Sequence, residues 1–278
     1  MNDNSDKMPS VVIEPPRGWQ LINFRELIQY RDLAYFLVWR NITVMYAQTI
    51  LGLAWAIIQP LIQIALFSII FGKVAKIPTD GFPYVLFCTA AIIPWTYMST
   101  VMTQSSQSLV NNQHMLGKIY FPRLLFPLTP VFSQLLTFVI SLILLVTIMV
   151  YYKVTPTWNL AWLPVFMLMM MIVPLGVSLW FSALAIRYRD VKFVMQYVIQ
   201  LLMYTAPIVY SASSIPEQYR IVYSLNPIVG VVEGFRAALL GTEIQWMFIL
   251  PGMGMALVLL VTGALYFRRM ERVFVDVI

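Results

Sequence analysis

At 278 residues, 60% hydrophobic and only 11% charged, with a mean hydropathy of +0.78, the chain holds more apolar surface than a soluble core of its size could hide. Its formal charge of +6 would point to nucleic acid if the cations formed one stripe on a water-soluble domain. Instead they punctuate apolar runs, which fits anionic headgroups and a positive-inside bias and leaves no nucleic-acid partner expected.

Residues 1–23 form a polar, proline-containing tail with no apolar stretch behind a basic start, so a cleaved signal peptide is not expected and the N-terminus is expected in the cytoplasm. Over 24–48 the chain predicts an amphipathic helix lying in the membrane interface. Tyr30, Leu33, Ala34, Leu37 and Val38 share one face, while Arg31 and Asp32 lie outside it. Phe36 and Trp39 blur the stripe, and a short extra span is the competing reading, although Arg40, Asn41 and Gln48 would make a span costly.

Six apolar runs follow within 49–267. The first, Leu51 to Gly72, carries no ionisable side chain over 22 residues; at about 1.5 Å per residue it covers the roughly 30 Å hydrocarbon core. The second, Pro83 to Thr103, ends in the polar run 104–118. The third is Leu124 to Tyr152, the fourth Leu160 to Ile186, the fifth Phe193 to Tyr210 and the sixth Trp246 to Phe267. Between the last two, Pro216 can open a short helix, Asn226-Pro227 can interrupt it and start another, and Gly241 can close that one. The 14 residues from Pro227 to Leu240 are too few to cross and return, so two short helices dipping in from the external side over 216–240 are expected. Glu233 and Arg236 stand i,i+3 there, either satisfying each other near the headgroups or taking part in gating.

With an internal N-terminus, thirteen Lys and Arg fall on the cytoplasmic side and five outside, which orients the chain with both termini in the cytoplasm and 268–278 as a C-terminal tail. Cys88 is the single cysteine and His114 the single histidine, so no disulfide and no metal site is expected. No GxxxxGK[ST] run occurs and acidic residues are almost absent from the spans. The chain therefore offers neither a phosphate-cradling loop nor a carboxylate relay, and a partner that supplies energy is the economical inference. That partner can press on two cytoplasmic loops. One holds Gln107, Asn111, Asn112, His114 and Lys118; the other is RYRDVK, with Arg187, Arg189, Asp190 and Lys192. A plain solvated turn is the alternative for each, though Asp190 among three cations permits ion pairs within the loop or to another protein.

QTILGLAWAIIQP at 48–60, KIYFPR at 118–123, ALAIRYRDV at 183–191, SLNPIVGVVEGFR at 224–236 and YFRRMERVFVDVI at 266–278, in this order among six apolar runs, carry a family resemblance. From about Asp32 to its end the chain resembles the permease subunits of bacterial polysaccharide-exporting ABC transporters of the ABC-2 type, which move lipid-linked O-antigen, capsule or teichoic acid. The resemblance implies an all-α inner-membrane protein with six spans per subunit, working as a homodimer joined to two copies of a cytoplasmic ATPase that binds the ATP and magnesium. No catalytic residue or cofactor is then expected in this chain. It also implies a coupling helix at about 105–118, a substrate entrance at Arg187, Arg189, Asp190 and Lys192 that meets a polyprenyl diphosphate, and external gate helices at 216–240 carrying Glu233 and Arg236.

A glycan cannot cross lipid without partners for its hydroxyls. Trp55, Phe82, Tyr84, Trp95, Tyr97 and Tyr204 are therefore candidates to line its route, the alternative being ordinary aromatic belts. The nearest competing function is a related exporter for another lipid-linked glycan, a small lipid or a drug. A membrane glycosyltransferase or polymerase would need acid–base or metal-binding groups that the spans hardly supply, and a non-catalytic scaffold leaves the proline breaks without a purpose.

Overall fold

The computed structural model describes residues 24–47, 51–116 and 121–271, and every regular element among them is helical. The segment expected to lie in the interface is two helices rather than one, α1 (Phe24–Gln29) and α2 (Arg31–Tyr46), broken at Tyr30. The expected stripe is its packed face: Leu37 is fully buried, and Tyr30, Leu33 and Ala34 lie against the same cluster, formed with Leu109, Phe126, Leu179 and Phe267. Tyr35, Phe36 and Trp39 point the other way and are exposed.

Among the described residues, five helical stretches are long and apolar enough to cross a membrane. The first is α3 (Trp55–Phe67), entered through a 3₁₀ turn at Gly52–Ala54 and continued by a π-helical run, Ser68–Val74. Then come α4 (Tyr84–Asn111), a four-residue α5 (Gln113–Leu116), α6 (Leu125–Tyr151) and α7 (Leu163–Arg187). The last crossing is α11 (Trp246–Glu271).

The expected fifth span is the exception. Helix α8 (Val191–Thr205) has only 15 residues, about 22 Å of rise, and stops because Pro207 forces the preceding Ala206 into the extended region (φ −94°, ψ 151°). The chain from Ala206 to Ser211 is not helical. The polar run after span two also departs from expectation. Residues 105–111 continue α4, which at 28 residues reaches about 42 Å and overshoots the hydrocarbon; only α5 is a separate helix, while 117–120 lie outside the described residues.

The segment over 216–240 has the helix boundaries that its punctuation predicts. After Pro216 come a 3₁₀ turn (Glu217–Tyr219) and α9 (Arg220–Ser224). Asn226 then caps α10 (Pro227–Leu240), its side chain accepting from the Ile228 amide at 3.1 Å, and Gly241 ends it in the left-handed region at φ 74°.

The core gathers around α4, the most buried crossing, which packs against α6, α7 and α10 and also meets α3 and α8. Helices α7 and α11 approach closely where two glycines meet, since a Cβ on Gly263 would stand 2.6 Å from the Gly176 carbonyl oxygen. Small residues let helix backbones approach where no water is available to drive apolar contact. In contrast α3 and α8 touch the bundle along one side and expose the rest.

Candidate functional site

Two polar regions sit at opposite ends of α4. Phe87 stands in its first turn and Gln107 in its last; twenty residues of helix separate them, about 30 Å, the thickness of the hydrocarbon.

At the Gln107 end, the two loops that the sequence treats separately form one cleft of about 600 Å³. One wall is the end of α4 with Gln107 and Asn111, continued by Gln113; the other is the α7–α8 turn with Arg187, Arg189 and Lys192. Arg187 is the last residue of α7 and Lys192 the second of α8, so this turn and the helix ends beside it hold three cations within six residues. All three are exposed, and no carboxylate among the described residues lines the cleft. Asp190 is exposed outside the lining, and among the described residues it makes no ion pair with its basic neighbours. Lys192 Nζ lies 4.8 Å from the Phe193 ring centroid and the Arg187 guanidinium 5.5 Å from that of Tyr188. A polyanion can enter such a cleft without displacing an internal partner from the cations.

From this cleft a stripe runs along α8 of which the sequence reading found only the two ends, Lys192 and Tyr204, and missed Gln196 and Gln200 between them. Lys192, Gln196, Gln200 and Tyr204 follow one another at i,i+4 and are all exposed, with Phe193 and Tyr197 on the same side. The opposite side, Val191 and Met195, is buried. The stripe covers 12 residues, about 18 Å. Its signal was a period of four carrying Gln in a helix otherwise apolar, since exposed amides are costly against lipid but not against water or another chain.

The expected route-lining aromatics divide by burial. Trp55 on α3 is 49% exposed and Tyr204 on α8 is 67% exposed. Phe82 is half-buried. Trp95 and Tyr97 are each only 4% exposed inside the bundle. The Tyr97 hydroxyl donates to the Val131 carbonyl at 2.7 Å. Those two rings therefore pack the core rather than face a passage, because the middle of α4 is enclosed on every side. Tyr84 is half-buried and its hydroxyl donates to the Val209 carbonyl at 3.0 Å.

The coupling candidates share the cytoplasm-assigned end of α4. Asn111 and His114 are exposed, Gln107 and Asn112 half-buried, and Lys118 lies outside the described residues. Asn112 ties this end to the interfacial helix: its side chain donates to the Ser108 carbonyl at 2.8 Å and accepts from Arg40 at 2.7 Å.

At the Phe87 end, the i,i+3 spacing of Glu233 and Arg236 is realised as a salt bridge of 2.9 Å, with Arg236 3% exposed. Arg236 also donates to the carbonyls of Ile208 (3.1 Å) and Tyr210 (3.3 Å) and lies 3.6 Å from the Phe87 ring centroid. Together with Tyr84 it satisfies the backbone that Pro207 freed from α8. Irregular backbone within a membrane protein persists where protein groups take over its hydrogen bonds. The pair thus fastens the C-terminal end of α8 to α4 and α10.

A helical, multi-pass bundle with a basic cleft at one end and a fastened, broken helix at the other is the architecture of a transporter membrane subunit. The chain belongs to the ABC-2 type transporter family, whose model matches residues 33–240. It is 26% identical over 215 residues to the O-antigen export system permease protein RfbA of Myxococcus xanthus, covering 77% of this chain and 82% of that protein. A protein of the same name from Klebsiella pneumoniae is 25% identical over 248 residues, 89% of this chain and 95% of the relative. The polysialic acid transport protein KpsM of Escherichia coli is 25% identical over 215 residues, 72% of this chain and 78% of that protein.

Proposed function

We propose that this chain is the membrane-spanning, channel-forming subunit of an ATP-driven exporter that moves a polyprenyl-diphosphate-linked polysaccharide, of the O-antigen kind, outward across the bacterial inner membrane. The observation that carries the reading is the continuity of the basic cleft with the polar stripe of α8. Arg187, Arg189 and Lys192 supply the charge that a lipid diphosphate needs, and Gln196, Gln200 and Tyr204 supply hydrogen-bonding and aromatic contacts along which a sugar chain slides. The names of the relatives, which span nearly the same length, supply the substrate class.

In this reading α8 and the irregular residues 206–210 together make the fifth of six crossings, leaving both termini in the cytoplasm. Fifteen helical residues give about 22 Å, and the turns that follow carry the chain the rest of the way. Two copies face each other through α3 and α8 and enclose the passage, and two copies of a cytoplasmic ATPase, which bind ATP and magnesium, dock on α5, the end of α4 and the interfacial helices. ATP binding and hydrolysis would move the coupling segment, shift the packing of the two subunits and let the lipid-linked chain advance, with α9 and α10 as the external gate. The chain itself then performs no catalysis.

The test is reconstitution of the permease with its ATPase in proteoliposomes containing a lipid-linked glycan. ATP-dependent outward movement is expected, and the pair Arg187→Gln and Arg189→Gln should lower it at least about tenfold, a loss of one to two charge-assisted contacts, while assembly with the ATPase is unchanged. Equal loss of assembly and transport would show that the cations are structural, and transport of a small lipid or drug with no response to glycan would give the site to the competing exporter class.

A further inference from the structure

A second cleft, of about 300 Å³, opens between α2, the end of α4 and the start of α6. This volume is at the lower end for small-ligand sites. Its walls are polar well beyond what packing requires: Arg40 and Asn41 from α2, Thr103, Gln104 and Asn111 from α4, and Thr129 from α6, with no carboxylate among the lining residues. Gln107 and Asn111 form part of both this cleft and the basic one, so the two are neighbours.

Two groups in it lack the partners their chemistry calls for. The Arg40 guanidinium donates to Asn112 Oδ1 at 2.7 Å and to Met115 Sδ at 3.2 Å, both neutral, and among the described residues it has no ion pair. A guanidinium offers five N–H donors in a fork that matches phosphate oxygens. The side-chain oxygen of Gln104, another residue of the cleft lining, is buried without any hydrogen-bond partner, which calls for a hydroxyl or ammonium donor. A phosphate ester carrying a donor on its far side answers both.

The level of the cleft says where that ester comes from. Helix α2 turns Tyr35, Phe36 and Trp39 outward, the residues that sit at headgroup depth on an interfacial helix, and Arg40 follows Trp39 directly. We infer that this cleft is a binding site for the headgroup of a bilayer phospholipid, its phosphate on Arg40 and its hydroxyl or amine on Gln104. The bound headgroup joins α2 to the α4–α5 hinge through the Arg40–Asn112 contact. The inference needs the chain's place in a membrane but not the identity of its cargo.

Native mass spectrometry of the full-length protein, released from vesicles containing phosphatidylglycerol and phosphatidylethanolamine, tests it. The wild-type chain is expected to retain a phospholipid that Arg40→Gln and, separately, Gln104→Met each bind on the order of tenfold more weakly. Arg31→Gln, on the exposed side of α2 beside Asp32, should retain it as the wild type does. Gln104→Met keeps the side-chain length while removing the acceptor, so the test stands even if Arg40→Gln fails to fold. Undiminished lipid retention in Gln104→Met would overturn the inference. So would displacement of the lipid by millimolar inorganic phosphate, which would mark a free-anion site.

Discussion

Replacing Arg236 by methionine, which keeps much of its length and removes its charge, should loosen the outer end of the bundle. Arg236 is 3% exposed and its partner Glu233 12%, so the substitution strands a carboxylate that water hardly reaches. Breaking a buried pair from one side costs about 3–5 kcal/mol, mostly because the remaining charge is uncompensated. The Ile208 and Tyr210 carbonyls also lose a donor, and the guanidinium leaves the face of Phe87. Taking about 4 kcal/mol for the sum, the melting temperature in detergent should fall by roughly 10 °C.

The companion variant separates charge from backbone. Glu233→Gln combined with Arg236→Met removes the stranded charge but leaves the two carbonyls unpartnered, so about half of the loss should return. Thermal unfolding followed by tryptophan fluorescence reads both. A single variant that melts like the wild type, or a double variant no better than the single, would refute the view that this pair fastens the broken end of α8.

Close helix approach gives a second expectation: Gly263→Val should cost about 1–3 kcal/mol through overpacking, because even its Cβ would stand 2.6 Å from the Gly176 carbonyl oxygen. Gly254→Ala on the same helix, where an added Cβ meets nothing within 4 Å, should be neutral or stabilising by up to about 1 kcal/mol, and thermal melts of the two check the contrast. Subunit pairing through α8 can be read by oxidation, since the native thiol of Cys88 is buried. Gln200→Cys should give a disulfide-linked dimer in membranes and Met195→Cys, on the buried side, should not; dimer bands at neither Gln196, Gln200 nor Tyr204 would remove α8 from the interface.

Much of the fold was legible because membrane physics writes itself locally. Five of the six apolar runs became helices long enough to cross, and Asn226-Pro227 and Gly241 bounded α10 as their backbone preferences require. The fifth run was misjudged at its end, although Pro207 was there to be read: hydropathy does not register a helix break when the residues after it stay apolar. The aromatic candidates show the opposite limit. Trp95 and Tyr97 look no different in sequence from Trp55 and Tyr204, and only the packing of neighbouring helices around α4 buries the first pair.

The sequence by itself thus determined the solvent of this protein, the places where its helices start and the cations that crowd one loop. These follow from side-chain transfer energies, proline and glycine geometry, and charge, all of which act within a few residues. Tertiary structure alone decided that Gln107 and Asn111 share a cleft with Arg187 and Lys192, that Arg236 satisfies carbonyls some thirty residues before it, and that Arg40 and Gln104 frame a second polar cleft. Those juxtapositions depend on how distant helices cross, and no local pattern of residues encodes a crossing.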